Sequence, residues 1–219
     1  MKNRWYMWLW SLLLTLPALG QEKFPFENEI KTFQHQDSLS FPKPDGILFI
    51  GSSSIRRWED LEQRFSRYPV IKRGVGGSEL SQWVKYFTPY VLFPYHPSKI
   101  FIYAGENDIA AGKSAQTVTQ DFITLWTMIH EQLPKAEIYF MSIKQSPSRA
   151  GTYNVVKQAD KQIADFIAGK PHMHYIDVNT ILFNTQTHEP DSTLFQLDLL
   201  HLKSTGYDRW EKVLKPYVK

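Results

Sequence analysis

Short runs of consecutive apolar residues recur along the chain and constrain its fold more than any other feature. They lie at 46–51 (GILFIG), 100–104 (IFIYA), 138–143 (IYFMSI) and 173–178 (MHYIDV), with a weaker run at 70–73 (VIKR). An unbroken apolar run of this length is typical of a strand that is covered on both faces. The runs therefore predict five buried β-strands.

The segments between these runs carry apolar residues at helical spacing. They lie at 80–91, 122–133, 155–167 and 207–217. Strands that alternate with helices indicate βαβ units, whose right-handed crossovers place helices on both faces of a parallel sheet. We therefore predict an α/β fold, a three-layer α/β/α sandwich around a five-stranded parallel sheet. Residues 21–44 are polar, and we expect an irregular segment there, with Phe24, Phe26 and Phe33 as anchors on the domain.

The first twenty residues have the pattern of a secretory signal peptide. Lys2 and Arg4 precede a nearly apolar stretch at 5–16, and the small residues Ala18 and Gly20 fit a cleavage site. A retained membrane anchor is the alternative, but the stretch is shorter than the roughly 20 residues of a spanning helix. We expect residues 1–20 to be removed, residues 21–219 to form a single domain with no membrane span, and the protein to be exported to the periplasm or the exterior.

The remaining composition excludes several classes of function. The 219 residues suit one domain with a real core. Removal of Lys2 and Arg4 would lower the formal net charge from +3 to +1, so electrostatics give no case for binding nucleic acid. The chain has no cysteine, which rules out a cysteine nucleophile or thiolate metal ligand, and His172, His174 and His188 lack a convincing metal-ligand spacing. We predict no cofactor and no metal, and make no prediction of oligomeric state.

Polar residues follow successive predicted strands. They form the groups 51–54 (GSSS), 74–78 (GVGGS) and 105–108 (GEND), while DLLH at 198–201 precedes the last helix. Sites in parallel sheets form at the carboxyl ends of the strands, so these groups are expected to converge. Each group alone is an ordinary cap, turn or surface residue, but their occurrence in this order favours a shared site.

The residue types fit nucleophilic catalysis. A serine hydroxyl needs a histidine to take its proton, and the histidine needs a carboxylate that fixes its tautomer. Asp198 lies three residues before His201, close enough to orient it from the same loop. The amide of Gly77, the side-chain amide of Asn107 and a backbone amide at a strand-to-helix turn would supply donors to an oxyanion.

The four groups resemble the blocks of the SGNH hydrolases, a subgroup of the GDSL esterases named for Ser, Gly, Asn and His. The blocks read FIGSSSI, RGVGGSE, YAGEND and DLLHL, and the resemblance covers about residues 46–217. It implies a flavodoxin-like sheet of order 2-1-3-4-5 and a shallow, open site. It further implies Ser53 as nucleophile, Asp198 and His201 as its partners, and the Ser53 N–H, Gly77 and Asn107 as the oxyanion hole.

One position departs from the family pattern. Ser52 stands where the family has the aspartate of Gly-Asp-Ser, and Ser54 follows the nucleophile position, so hydroxyls flank Ser53 on both sides. We also predict that Glu106, within YAGEND, and Arg149, in a loop at 146–149 after the fourth strand, bind substrate. A solvent-exposed or arginine-paired position is the alternative for Glu106.

These observations predict a metal-independent serine ester hydrolase that acts on small-molecule or carbohydrate esters through an acyl-Ser53 intermediate. Short acyl groups, acetyl above all, are favoured because the loops at the strand ends are short and polar. A lysophospholipase is the alternative within the same chemistry, since residues 183–200 could supply an apolar wall. A non-catalytic carbohydrate-binding module on the same fold is the alternative from another class.

Overall fold

A computed structural model describes residues 25–219 and places five strands in one parallel sheet. The strands are β1 (Ile47–Gly51), β2 (Val70–Gly74), β3 (Lys99–Tyr103), β4 (Glu137–Met141) and β5 (Met173–Ile176). Their order is β2-β1-β3-β4-β5, and every neighbouring pair is parallel. The predicted five-stranded parallel sheet and its 2-1-3-4-5 order are confirmed.

Helices cover both faces of this sheet, as the three-layer prediction requires. The longer ones are α1 (Glu27–Leu39), α7 (Ala115–Gln132), α8 (Tyr153–Ile167) and α9 (Ser204–Val218). The shorter ones are α2 (Ser53–Arg56), α3 (Leu61–Arg64), α4 (Leu80–Gln82), α5 (Thr88–Val91) and α6 (Glu106–Ala110).

Alternate residues of each strand enter two separate cores. Leu48 and Ile50 of β1 pack into one core with α7 and α8, whereas Ile47 and Phe49 pack into the other with α9. All four side chains are buried, because each strand is covered on both faces. This arrangement explains why the strands read as continuous apolar runs in the sequence.

Two segments differ from their sequence-based predictions. Residues 27–39, expected to be irregular, form α1, which buries only Ile30 fully, so its apolar periodicity is too sparse to see in the sequence. The predicted helix at 80–91 is interrupted by a π-helical turn, Trp83–Phe87, between α4 and α5. Pro89 lies in the first turn of α5, where proline is tolerated because the N–H groups of a first turn have no partner within the helix.

The predicted anchors and signal peptide fall at the start of the chain. Phe26 packs 4.9 Å from Phe87, measured between ring centroids, and Phe33 is partly buried against the same core. Phe24 and the predicted signal peptide, residues 1–20, lie outside the described residues. Within residues 25–219, none of the helices has the length and apolarity needed to cross a bilayer.

Candidate active site

The polar groups that follow the strands meet at the carboxyl edge of the sheet. Ser53 begins α2 directly after β1, Gly77 follows β2, and Asn107 lies in α6 after β3. The loop that precedes α9 brings His201 to the same edge. All four groups thus lie at the carboxyl ends of the strands or on the loop that reaches that edge.

The turn between β1 and α2 depends on Gly51. Its φ is +138°, and a Cβ built there would lie 1.9 Å from the Tyr103 carbonyl oxygen, which no side chain could tolerate. The backbone of the neighbouring strand can therefore approach, and Ser52 N–H donates to Tyr103 C=O at 3.0 Å. This close contact fixes the position from which Ser53 enters the site.

Ser53, His201 and Asp198 form a continuous hydrogen-bonded chain. Ser53 Oγ lies 2.9 Å from His201 Nε2, and His201 Nδ1 lies 2.6 Å from Asp198 Oδ2. The carboxylate also accepts from the backbone N–H groups of Leu200 and His201, each at 2.9 Å through Oδ1. The imidazole is thus held with one nitrogen towards the carboxylate and the other towards the hydroxyl.

These contacts keep Asp198 ionised. Burial alone would raise the pKa of the carboxyl group, but hydrogen bonds from the His201 ring and from two backbone N–H groups outweigh it. The pKa of Asp198 is held well below its ordinary value. The group facing His201 Nδ1 is therefore a carboxylate, as a partner for an imidazolium requires.

The structure distinguishes Ser53 from the serines beside it. The side chains of Ser52 and Ser54 are buried, whereas Ser53 is partly exposed and faces His201. The Ser54 carbonyl accepts a hydrogen bond from the buried Tyr207 hydroxyl at 2.8 Å, which ties α2 to α9.

Gly77 and Asn107 belong to the segments that follow β2 and β3. Asn107 Nδ2 donates to the carbonyl of Ser78, the residue after Gly77, at 3.1 Å. Gly77 has a φ of +75°, is exposed, and has no neighbouring atom within 4 Å of where a Cβ would stand. Two of the predicted oxyanion donors therefore belong to segments that contact one another directly.

Arg149 reaches the site but is engaged with the protein. Its Nη1 donates to the Glu106 carbonyl at 3.0 Å, and its Nη2 donates to Asn107 Oδ1 at 3.1 Å. The guanidinium group, predicted to bind substrate, is thus bonded to one of the predicted oxyanion donors. The loop that carries it is joined to the loop of Asp198 by a bond from Ser148 N–H to Leu199 C=O at 3.1 Å.

Glu106 has a placement that differs from the substrate contact predicted for it. Its side chain is only 6% exposed and forms an ion pair with Lys144, whose side chain is fully buried. It also accepts from the Tyr103 hydroxyl at 2.9 Å and from the Ser146 hydroxyl. We therefore correct the assignment, because Glu106 binds groups beneath the site and is not presented to a substrate.

Sequence reasoning missed Lys144 and the inward position of Ser146. Lys144 directly follows the apolar run at 138–143, and a lysine there is normally expected to reach solvent. The sequence feature that could have indicated a buried Lys144 is Glu106, within YAGEND. A buried lysine needs a carboxylate partner, and Glu106 is located at the end of the neighbouring strand.

The remaining histidines considered in the sequence do not assemble a metal site in the described residues. His172 Nδ1 and His174 Nε2 lie 2.7 and 2.6 Å from the two oxygens of Glu137, at the start of β4 and so at the opposite edge of the sheet. Across residues 25–219, no group of three or more His, Cys, Asp or Glu side chains is placed to hold a metal ion.

A serine hydroxyl, an imidazole and a carboxylate in a row are the arrangement with which ester hydrolases form acyl-serine intermediates. Ester hydrolase is the class to which this protein belongs. Residues 42–209, most of the chain, match the model of the GDSL-like lipase/acylhydrolase family, and the chain belongs to that family. None of the curated protein sequences compared with the chain matches it.

Solved structures share the fold at low sequence identity. A Streptococcus pneumoniae protein provisionally named a platelet activating factor is 21% identical, with a TM-score of 0.77 over 88% of this chain and 92% of that one. A GDSL-like lipase from Bacteroides thetaiotaomicron is 16% identical, with a TM-score of 0.71 over 86% and 96%. A carbohydrate esterase family 3 protein from Talaromyces cellulolyticus is 11% identical, with a TM-score of 0.65 over 78% and 95%.

Proposed function

We propose that the protein hydrolyses esters through an acyl-Ser53 intermediate. The observation that carries the proposal is the hydrogen-bonded chain from Ser53 Oγ through His201 to Asp198, with links of 2.9 and 2.6 Å. Ser53 Oγ attacks the ester carbonyl while His201 Nε2 takes its proton, and Asp198 stabilises the imidazolium. His201 then protonates the departing alcohol, and a water activated by the same imidazole releases the acid.

Three donors stabilise the oxyanion of each tetrahedral intermediate in this mechanism. They are the N–H of Ser53 at the start of α2, the N–H of Gly77 and the Nδ2 of Asn107. One hydrogen of Asn107 Nδ2 is directed to the Ser78 carbonyl, which leaves the second for the substrate. Donors that are held in place before the reaction cost no reorganisation in the transition state.

The proposed substrates are esters of short acyl groups, with acetyl preferred. Long-chain hydrolysis needs an apolar pocket, because each buried CH₂ contributes about 0.8 kcal/mol. Two apolar residues of the segment that could have formed such a wall, Leu194 and Phe195, are buried in the core that α9 covers. A cavity of about 920 Å³ lies between α1 and β2, lined by residues such as Thr32 and Lys72 rather than by Ser53.

The proposed leaving group is a polyol or sugar. Arg56 and Arg57 follow Ser53 and are exposed, and Arg57 Nη1 donates to Gln196 Oε1 at 3.3 Å. Such a polar surface is suited to hydroxyl groups. Two exposed leucines on either side of Asp198, Leu197 and Leu199, favour the lysophospholipid alternative.

A series of p-nitrophenyl esters from acetate to dodecanoate distinguishes these substrates. We expect kcat/KM to be highest for acetate or propionate and to fall by octanoate. The Ser53→Ala variant serves as the control for background hydrolysis. A maximum at eight carbons or beyond would contradict the short-acyl proposal, and lysophospholipids would then be the substrates to assay. Acetylated sugars, assayed by acetate release, test the leaving group.

We also propose that the protein is exported and that residues 1–20 are removed, on the sequence pattern alone. Mass spectrometry of the protein from its native host should give an N-terminus at Gln21. An intact N-terminus in a membrane fraction would instead indicate a retained anchor.

A further inference from the structure

We infer that Arg149 is a positioning residue, which holds the side-chain amide of Asn107 in the orientation needed for the oxyanion and strengthens it as a donor. The inference rests on the proposed function and assigns to Arg149 a role other than the substrate contact predicted from the sequence. It is carried by the two hydrogen bonds that Arg149 makes within the protein.

The neighbours of Asn107 leave its amide only one satisfactory orientation. A guanidinium group can only donate hydrogen bonds, and the Ser78 carbonyl can only accept them. Asn107 Oδ1 therefore faces Arg149 Nη2 at 3.1 Å, and Nδ2 faces the Ser78 oxygen at 3.1 Å. A rotation of the amide by about 180° would place Oδ1 against the Ser78 carbonyl oxygen, so that two acceptors face each other. It would also place Nδ2 against Arg149 Nη2, so that two donors face each other. Arg149 and Ser78 together therefore fix which atom of Asn107 donates.

Arg149 is itself held in place from two sides. Nη1 donates to the carbonyl of Glu106, the residue before Asn107, at 3.0 Å and lies 3.8 Å from Glu106 Oε1. The side chain of Glu106 is in turn anchored by the buried Lys144. The fork of the guanidinium thus spans two consecutive residues of α6, a geometry that the single ammonium of lysine does not reproduce.

The charge of Arg149 also acts on the reaction. A cation bonded to the amide oxygen polarises the amide, so the N–H on the opposite side becomes a stronger donor. This effect is greatest when the acceptor is an oxyanion, which exists only in the transition state and the intermediates. Loss of Arg149 should therefore lower kcat and leave KM nearly unchanged.

A double-mutant cycle between Arg149 and Asn107 tests the inference, with acetate ester hydrolysis as the assay. Arg149→Ala should lower kcat about 10- to 100-fold, which is part of the roughly 10²–10³-fold cost of losing an oxyanion donor. In the Asn107→Ala background, the same change should cost less than about 2-fold, because the group through which it acts is gone. Arg67→Ala, at an exposed arginine before β2, is the matched control and should have no effect.

Rescue supplies a readout that a structural defect would not give. The Arg149 side chain is 21% exposed, so guanidinium ion can enter the space left by Arg149→Ala. Millimolar guanidinium should restore kcat of Arg149→Ala but not of Arg149→Ala/Asn107→Ala, and should not raise that of Arg67→Ala. Arg149→Lys should recover part of the lost kcat, and it replaces Arg149→Ala in the cycle if the alanine variant does not fold.

The outcomes separate this inference from the proposed function. An equal loss in both backgrounds, a rise in KM at constant kcat, or a loss below 2-fold with Asn107 present would overturn the positioning role. Any of these can occur while Ser53→Ala remains inactive, in which case the proposed function stands. Activity that persists in Ser53→Ala would instead remove the proposed function and this inference with it.

Discussion

Asp198 and His201 are joined twice, by a 2.6 Å contact between the carboxylate and Nδ1 and by a 2.9 Å bond from the His201 backbone N–H to the same carboxylate. The backbone bond places the histidine, and the side-chain contact orients its ring. A three-residue spacing allows both at once, so the loop is organised before substrate arrives.

The position of Ser53 leads to the first prediction. Ser53→Ala should abolish ester hydrolysis, because only this hydroxyl of the three faces His201. Ser52→Ala and Ser54→Ala should retain a measurable fraction of kcat, since both side chains are buried. Steady-state kinetics on p-nitrophenyl acetate measure this, with circular dichroism as the check on folding. An inactive, folded Ser54→Ala beside an active Ser53→Ala would contradict the assignment.

The second prediction compares the two partners of Ser53. His201→Ala should reduce kcat about as much as Ser53→Ala, because both take part in the same proton transfer. Asp198→Ala should reduce kcat less, since Asp198 orients the ring and stabilises its charge without transferring the proton. The double variant Ser53→Ala/His201→Ala should be no worse than either single variant. An Asp198→Ala variant with nearly full kcat would remove the carboxylate from the mechanism.

The third prediction concerns stability and the buried carboxyl group of Asp160 in α8. Burial raises the pKa of Asp160 from 3.8 to about 8, despite a hydrogen bond from the Ile143 N–H, and the nearby Asp177 adds to the rise. Because its pKa is higher in the folded state, the Asp160 carboxyl group stabilises the fold fully below about pH 4. This stabilisation is lost as the pH rises through about 8. In Asp160→Asn, the free energy of unfolding should therefore decrease less between pH 4 and pH 8 than it does in wild type.

Denaturant unfolding at a series of pH values measures this effect. Asp165→Asn, at an exposed position of the same helix, is the control and should leave the pH dependence unchanged. The prediction fails if wild type and Asp160→Asn lose stability in parallel from pH 4 to pH 8.

The fourth prediction concerns the buried pair of Lys144 and Glu106. Lys144→Met should lower the free energy of unfolding by about 3–5 kcal/mol, because it leaves the Glu106 carboxylate buried without its cation. Lys144→Met/Glu106→Gln should recover part of this loss, since the glutamine can still accept from the Tyr103 hydroxyl. Urea denaturation of wild type and the two variants measures both changes. A double variant less stable than Lys144→Met would show that the charge is not the cause.

Much of this architecture could be predicted from the sequence. The strands were visible because both faces are covered, as the full burial of Leu48 and Phe49 illustrates. Ser53 and Asn107 could be predicted to lie at one edge of the sheet because parallel strands end there. His201 reaches Ser53 from the loop before α9. Helix α1 could not be predicted, because little of its surface is apolar. Its residue Asp37 forms an ion pair with Arg73, which lies far away in the sequence, so no local sequence pattern indicates the contact.

The contacts that hold the site residues in place also could not be predicted from the sequence. Glu106 and Arg149 were expected to bind substrate, but in the structure they contact Lys144 and Asn107, which lie about 40 residues away along the chain. The orientation of the Glu106 side chain depends on its contact with Lys144, and that of Arg149 on its contact with Asn107. Both contacts form only when the chain folds. Sequence motifs locate the reacting groups, whereas the residues that hold them are determined by packing.

Covalent labelling by a fluorophosphonate, mapped to a residue by peptide mass spectrometry, tests the central claim most directly. The reagent phosphonylates a serine that an adjacent base has activated, without reference to the natural substrate. The account predicts stoichiometric modification of Ser53 in the wild-type protein, none in Ser53→Ala, and greatly slowed modification in His201→Ala. Modification of Ser52 or Ser54, or no modification of a folded wild-type protein, would contradict it.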